Sequence, residues 1–208
     1  IANAYKTVIN ELYNEGLRTL QIDDCTWGCL VDDNFIASFI EKSDRDKEVI
    51  RREFAERFLN INNRVFQNNP EDLVINTHVC RGNYASTWFG QGGYDKIADE
   101  LFGKEDVNAY YLEFDTERAG TFESLAKVSG DKKVVLGLIT SKNPTLEEKE
   151  AVIARIKEAS KYVPLDRLYL SPQCGFASTE EGNHLTEEQQ WAKLRFIKEV
   201  ADEVWGKN

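Results

Sequence analysis

The sequence contains no methionine in 208 residues, so the initiator is absent and Ile1 is not expected to be the biological start. It has no apolar run long enough to cross a bilayer. Its first residues also lack the basic, apolar and small-residue succession of a signal peptide. Basic residues are in deficit, 26 Lys and Arg against 36 Asp and Glu, for a formal net charge of −10. That balance disfavours a nucleic-acid or anionic-membrane partner, because holding phosphate needs clustered Lys and Arg. Cysteine is scarce, and the spacing of Cys25, Cys29, Cys80 and Cys174 does not resemble a secreted disulfide framework. A cytoplasmic protein with reduced thiols is the expectation. The chain also lacks low-complexity stretches, linkers and internal repeats.

What is present is enough for one substantial domain. Hydrophobic residues make up 41% and charged residues 30%, a balance that buries a core and keeps a solvated surface. Apolar spacing predicts helices over residues 5–15, 45–66, 94–102, 121–128, 145–162 and 186–205. Within the 45–66 helix, Ile50, Phe54, Phe58 and Leu59 are expected to face inward. Thr145 with Glu148, and Thr186 with Glu188 or Gln189, read as capping boxes. Strands are predicted over 17–24, 73–80, 107–115, 133–139 and 167–171, with Leu20 and Ile22 buried, and a loop over 25–44.

Strand and helix thus alternate five times without a hairpin signal, which implies a parallel α/β sheet. No strand end carries the GxGxxG phosphate turn of a doubly wound fold. Acidic, His and Cys residues gather instead at the C-terminal ends of strands, the catalytic face of a (β/α)8 TIM barrel. At roughly 40 residues per unit, five units fill this chain, whereas a barrel needs eight. The chain is therefore expected to be the last five βα units of one barrel, residues 1–208 forming its C-terminal part.

Chemistry concentrates in Ile75-Asn76-Thr77-His78-Val79-Cys80-Arg81. Strand alternation turns His78 and Cys80 to the same side. An imidazole beside a thiolate suits a borderline divalent metal, zinc first; a buried histidine next to an inert cysteine is the plainer alternative. Cys174 ends the fifth strand, and Glu113 lies among the aromatics of the third. A carboxylate in such a run needs a metal or a partner such as Arg118. Together, His78, Cys80, Glu113 and Cys174 have the ligand types zinc prefers. Cys25 and Cys29 read as packing residues, His184 as a solvated loop residue, and Trp88 and Phe89 as either a lid or rim padding.

Leu20-Gln21-Ile22-Asp23-Asp24, Thr77-His78-Val79-Cys80, Tyr111-Leu112-Glu113 and Ser171-Pro172-Gln173-Cys174-Gly175 resemble the catalytic barrel of cobalamin-independent methionine synthase over nearly the whole chain. The stretches 137–142 and 176–183 are similar to its short single-barrel bacterial branch. The resemblance implies that His78, Cys80, Glu113 and Cys174 bind Zn2+. It also implies that Asp23 holds the amino group of homocysteine and that a small methyl donor is the second substrate. Two thiolates, a carboxylate and Zn2+ sum to one net negative charge, which keeps a bound thiol nucleophilic after it loses its proton. Two positions depart from the long synthases: Thr140 stands where they carry a proton-donating histidine, and Cys29 where they carry a folate-contacting glutamate. No catalytic acid is therefore assigned. The donor side admits 5-methyltetrahydrofolate, with its polyglutamate tail, or another methyl carrier. Transfer to a different thiol such as coenzyme M, or a zinc-bound module without turnover, are the alternatives.

Overall fold

The computed structural model describes residues 1–40 and 44–207. Five parallel strands, β1 (Thr19–Asp23), β2 (Val74–Val79), β3 (Ala109–Glu113), β4 (Lys133–Ile139) and β5 (Leu168–Pro172), pair in the order β1-β2-β3-β4-β5. A doubly wound sheet reverses its order at a switch point; here each strand pairs with the next in sequence, as staves of a barrel do. The register sets Asp23 beside His78, His78 beside Tyr111, and Glu113 beside Gly137. Among the described residues β1 and β5 do not pair with each other, so both are edges.

Seven α-helices are described: α1 (Ala2–Asn14), α2 (Cys25–Leu30), α3 (Asp33–Ile40), α4 (Lys47–Phe66), α5 (Ala98–Lys104), α6 (Lys149–Ala159) and α7 (Glu187–Trp205). One face of the sheet packs on these helices. Val79, Tyr110, Leu112, Phe114, Val134 and Leu136 meet Leu59, Phe66, Leu101, Phe102, Ile156 and Val200 in a continuous core. Each such side chain, fully buried, contributes roughly 1.5–3 kcal/mol. Tyr94, Phe114 and Phe122 extend the core as a run of tilted rings, with centroids 5.2 and 4.7 Å apart. The other face of β1 is open: Thr19, Gln21 and Asp23 are exposed. None of the described helices is long and apolar enough to cross a membrane.

Several elements differ from their sequence reading. The predicted loop over 25–44 holds two short helices, α2 and α3, while residues 41–43 of that loop lie outside the described residues. Asp24 accepts from the backbone N–H of Thr26, and Asp32 from those of Asn34 and Phe35. These side-chain caps let segments too short to signal by periodicity form helices around the fully buried Trp27. Leu20 and Ile22 are half-buried rather than buried, because β1 is an edge strand. Phe54 and Phe58 are likewise half-buried, whereas Ile50 and Leu59 are buried.

The Thr145 capping box does not form: α6 starts at Lys149, behind Glu148, which makes no side-chain cap. The Thr145 carbonyl is taken by Lys193 Nζ at 2.6 Å. Glu147 accepts from both Lys193 and the Thr140 N–H, so this segment answers tertiary partners rather than a helix. The predicted 121–128 helix is a 3-10 segment, Phe122–Lys127. The Thr186–Gln189 box forms as expected, with both reciprocal hydrogen bonds.

Candidate metal centre

Four side chains converge where β2, β3 and β5 end. His78 Nε2 or Nδ1, the sulfurs of Cys80 and Cys174, and a Glu113 oxygen offer ligand atoms all within 4.8 Å of one another. The two sulfurs are 3.9 Å apart. His78, Cys80 and Glu113 are buried and Cys174 is half-buried. Strand pleating explains the first three: in the register of β2 and β3, His78 and Cys80 emerge on the same face as Tyr111 and Glu113. Cys174 arrives from the turn after β5, where Gln173 N–H still bonds the Ile139 carbonyl.

The hydrogen bonds aim the donors inward. His78 Nδ1 lies 3.1 Å from the Tyr111 carbonyl. An N–H there fixes the tautomer and leaves a lone pair on Nε2, which is buried without a hydrogen-bond partner. Glu113 accepts from the Arg81 backbone N–H at 2.8 Å through Oε1 and from Arg118 at 2.7 Å through Oε2. Each oxygen retains a second acceptor site. Arg118 also pairs with Asp115 at 2.9 Å. The Arg118 partnership expected as an alternative to metal binding is thus present in the same site, and it orients the carboxylate.

Among themselves the donors share protons unevenly. The Cys174 thiol is held down to about 4 by the hydrogen bond from Cys80, with further support from His78. The Cys80 thiol is pushed up by the same contact and by burial. Burial alone would pull the His78 imidazole down, but Cys174, Asp23 and Glu113 around it raise it overall. Burial raises Glu113 despite Arg118. A divalent cation at this point would displace the protons that His78, Cys80 and Glu113 hold, because it takes the imidazole lone pair, the thiolates and the carboxylate as ligands.

Asp23 ends β1 beside His78; burial raises its carboxyl overall, His78 opposing the shift only in part. A cavity of about 240 Å³ adjoins the cluster, lined by Gln21, His78, Tyr111, Gln173, Cys174 and Gly175 among others. Thr140 ends β4 with its N–H on Glu147 at 2.8 Å. Cys25 is exposed and Cys29 half-buried on α2, and neither belongs to the cluster. His184 is exposed. Trp88 carries the Arg118 guanidinium 5.2 Å from its ring, and Phe89, 62% exposed, packs edge-on against Phe35.

Sequence reasoning missed the polar side chains that brace this cluster, Asn83, Ser141, Lys142 and Asn183, and the buried Glu105 behind Asp24. The stretches 137–142 and 176–183 pointed at three of them, but contacts across 42 to 100 residues have no local signature.

A family model described as "Cobalamin-independent synthase, Catalytic domain" matches residues 1–203. The chain is 46% identical over 206 residues to the uncharacterized protein YxjG of Bacillus subtilis (strain 168), covering 99% of this chain and 53% of that protein. It is 23% identical over its whole length to a 5-methyltetrahydropteroyltriglutamate--homocysteine methyltransferase of Bacillus licheniformis, covering 23% of it. Among solved structures, a candidate vitamin-B12 independent methionine synthase from Listeria monocytogenes superposes with a TM-score of 0.74 at 38% identity. That match covers 99% of this chain and 54% of that one. The chain therefore spans about half the length of YxjG and of the Listeria protein.

Proposed function

This chain belongs to the cobalamin-independent synthase family, and we propose that it carries the metal and thiol-substrate half of a methyl-transfer site. In this reading Zn2+ sits on His78, Cys80, Glu113 and Cys174. Homocysteine is the methyl acceptor, methionine the product, and 5-methyltetrahydrofolate or another methyl carrier the donor. The observation that carries it is the convergence of four ligand atoms within 4.8 Å at the strand ends. The fit to zinc is close: tetrahedral bonds of about 2.3 Å to two sulfurs put them about 3.8 Å apart, against 3.9 Å here.

The chemistry a bound zinc ion supplies is acidification of a coordinated thiol. The protein's own residues do the rest. Tyr111 keeps the His78 lone pair free, and Arg118 and the Arg81 N–H fix the Glu113 carboxylate. The two cysteines and Glu113 bring three negative charges, so the sulfur of a bound thiol stays electron-rich. Asp23 pairs in this reading with the ammonium group of an amino-acid substrate, which favours homocysteine over a thiol without one; its position beside His78 in the strand register supports that role. Thr140 and Cys29 leave the donor side open to carriers other than folate.

The domain reading follows the same line: residues 1–208 form the last five units of a barrel, whose closure needs further strands between the edges of β1 and β5. A cytoplasmic site of action agrees with four free cysteines among the described residues.

X-ray absorption at the zinc edge, with and without homocysteine, tests the proposal. Homocysteine is expected to add a third sulfur to the first coordination sphere, and Cys80→Ser and Cys174→Ser are each expected to lose zinc by elemental analysis. Full zinc occupancy in both variants, or an edge that homocysteine leaves unchanged, refutes it.

A further inference from the structure

The two cysteines of the cluster lie 94 residues apart on loops that share no backbone–backbone hydrogen bond: among the described residues none joins 82–87 to 174–184. Side chains alone join them. Lys142, 8% exposed at the end of β4, donates from Nζ to the Gly82 carbonyl at 3.0 Å and to Asn83 Oδ1 at 2.8 Å. Asn83 Nδ2 donates to the Gly175 carbonyl and to Ser178 Oγ, each at 2.7 Å. Asn183 Nδ2 donates to Asn83 Oδ1 at 3.0 Å and to the Ser141 carbonyl at 2.9 Å, and Ser141 Oγ donates to the Gly175 carbonyl at 2.8 Å. Asn183 Oδ1 accepts from the Ser86 N–H at 2.9 Å. This last bond holds a turn in which Ala85 and Ser86 both have positive φ, 43° and 64°, a conformation uncommon for residues with a Cβ.

The contacts fall on the peptides that set the sulfur positions. Gly82, whose carbonyl Lys142 holds, donates its own N–H to Cys80 Sγ at 3.4 Å. Gly175, whose carbonyl Asn83 and Ser141 hold, directly follows Cys174. A buried ammonium is costly unless its protons are used. Here two are spent on the Cys80 side of the cluster, through Gly82 and Asn83.

We infer that Lys142, Asn83 and Asn183 are positioning residues, a side-chain clamp that seats Cys80 and Cys174 at ligand distance before metal arrives. The inference rests on the metal-site reading above and goes beyond it, because it assigns the precision of the site to residues that touch no metal. Supporting residues of this kind typically change metal affinity by about 10- to 100-fold.

The test is zinc affinity by chelator competition in Asn83→Ala, Lys142→Met and Asn183→Ala. Each is measured beside its thermal melting temperature and beside Arg51→Met, whose buried guanidinium binds Asp33 and Glu48 away from the clamp. The clamp variants are expected to lose about 10- to 100-fold in zinc affinity and to alter the thiolate charge-transfer absorption of bound cobalt(II). Arg51→Met is expected to melt earlier with its affinity intact. In the zinc-free protein, amide exchange at Gly182 and Asn183, which bond Thr179 and Phe176, is expected to accelerate in Asn183→Ala. Unchanged affinity in all three variants, or an equal loss in Arg51→Met, overturns the clamp. If the unaltered protein takes up no zinc, the metal reading fails and the exchange measurement alone decides: unchanged exchange in Asn183→Ala overturns the clamp as well.

Discussion

Replacing Glu105 with glutamine is expected to abolish a loss of stability that the protein suffers as pH rises from about 4.5 to about 7. Glu105 is fully buried behind α5. Its Oε1 accepts from Asn62 Nδ2 at 2.8 Å and Trp27 Nε1 at 3.1 Å, and its Oε2 is buried without a partner. Burial, aggravated by the Asp24 carboxylate, pushes the acid up to about 7 from an ordinary 4.5, against the two hydrogen bonds and Lys132. The sign follows from proton binding. Between 4.5 and about 7 the native state keeps a proton that the unfolded chain has released, so stability falls as pH rises through that window and levels off above it. At about 1.4 kcal/mol for each pH unit, the whole loss is about 3 kcal/mol. Glu105→Gln keeps the shape and both acceptor contacts but cannot ionise. Urea unfolding of both proteins at pH 5, 6, 7 and 8 reads the effect. The stability of the variant minus that of the unaltered protein should climb by roughly 2–3 kcal/mol from pH 5 to pH 8, the rest of the loss falling below pH 5. A difference that stays flat would refute the buried-acid reasoning.

Two further predictions concern the cluster and the sheet. With the Cys174 thiol held down to about 4, its alkylation by iodoacetamide in zinc-free protein should be nearly independent of pH from 6 to 9. Cys25, whose thiol burial raises, should react faster as pH climbs; parallel profiles for the two would contradict the shared-proton picture. Gly137→Ala puts a Cβ 2.6 Å from the Leu112 carbonyl oxygen and 2.7 Å from Gln173 Cα, and should cost about 1–3 kcal/mol or more. Gly103→Ala, in α5 with nothing within 4 Å, should gain about 0.5–1 kcal/mol. Equal melting temperatures for these two variants would be evidence against the close strand packing.

Much of the fold was legible in the chain because its signals are local. Every strand was found, since Val, Ile, Leu and Tyr runs bounded by turn residues do not depend on distant partners. The α7 capping box was readable for the same reason, as donor and acceptor lie three residues apart. The Thr145 box failed because Lys193, 48 residues away, takes the carbonyl that a helix would have used. Helices α2 and α3 escaped notice because aspartate caps and the buried Trp27, rather than periodicity, hold them. The donor types of the cluster were likewise visible, through alternation along β2 and β3 and the cysteine after β5.

Residue order alone specifies which atoms are available: an imidazole, two thiols and a carboxylate at strand ends, and five strands to carry them. Only the assembled sheet brings the sulfurs to 3.9 Å, lowers the Cys174 thiol through its contact with Cys80, and lets Arg118 and Tyr111 aim the remaining donors. It also decided that Lys142 and two asparagines brace the loops. The physical reason is range. Strand alternation and helix caps are set within a few residues, whereas a shared proton or a bracing hydrogen bond depends on ångström separations between groups that the chain keeps far apart until the sheet assembles.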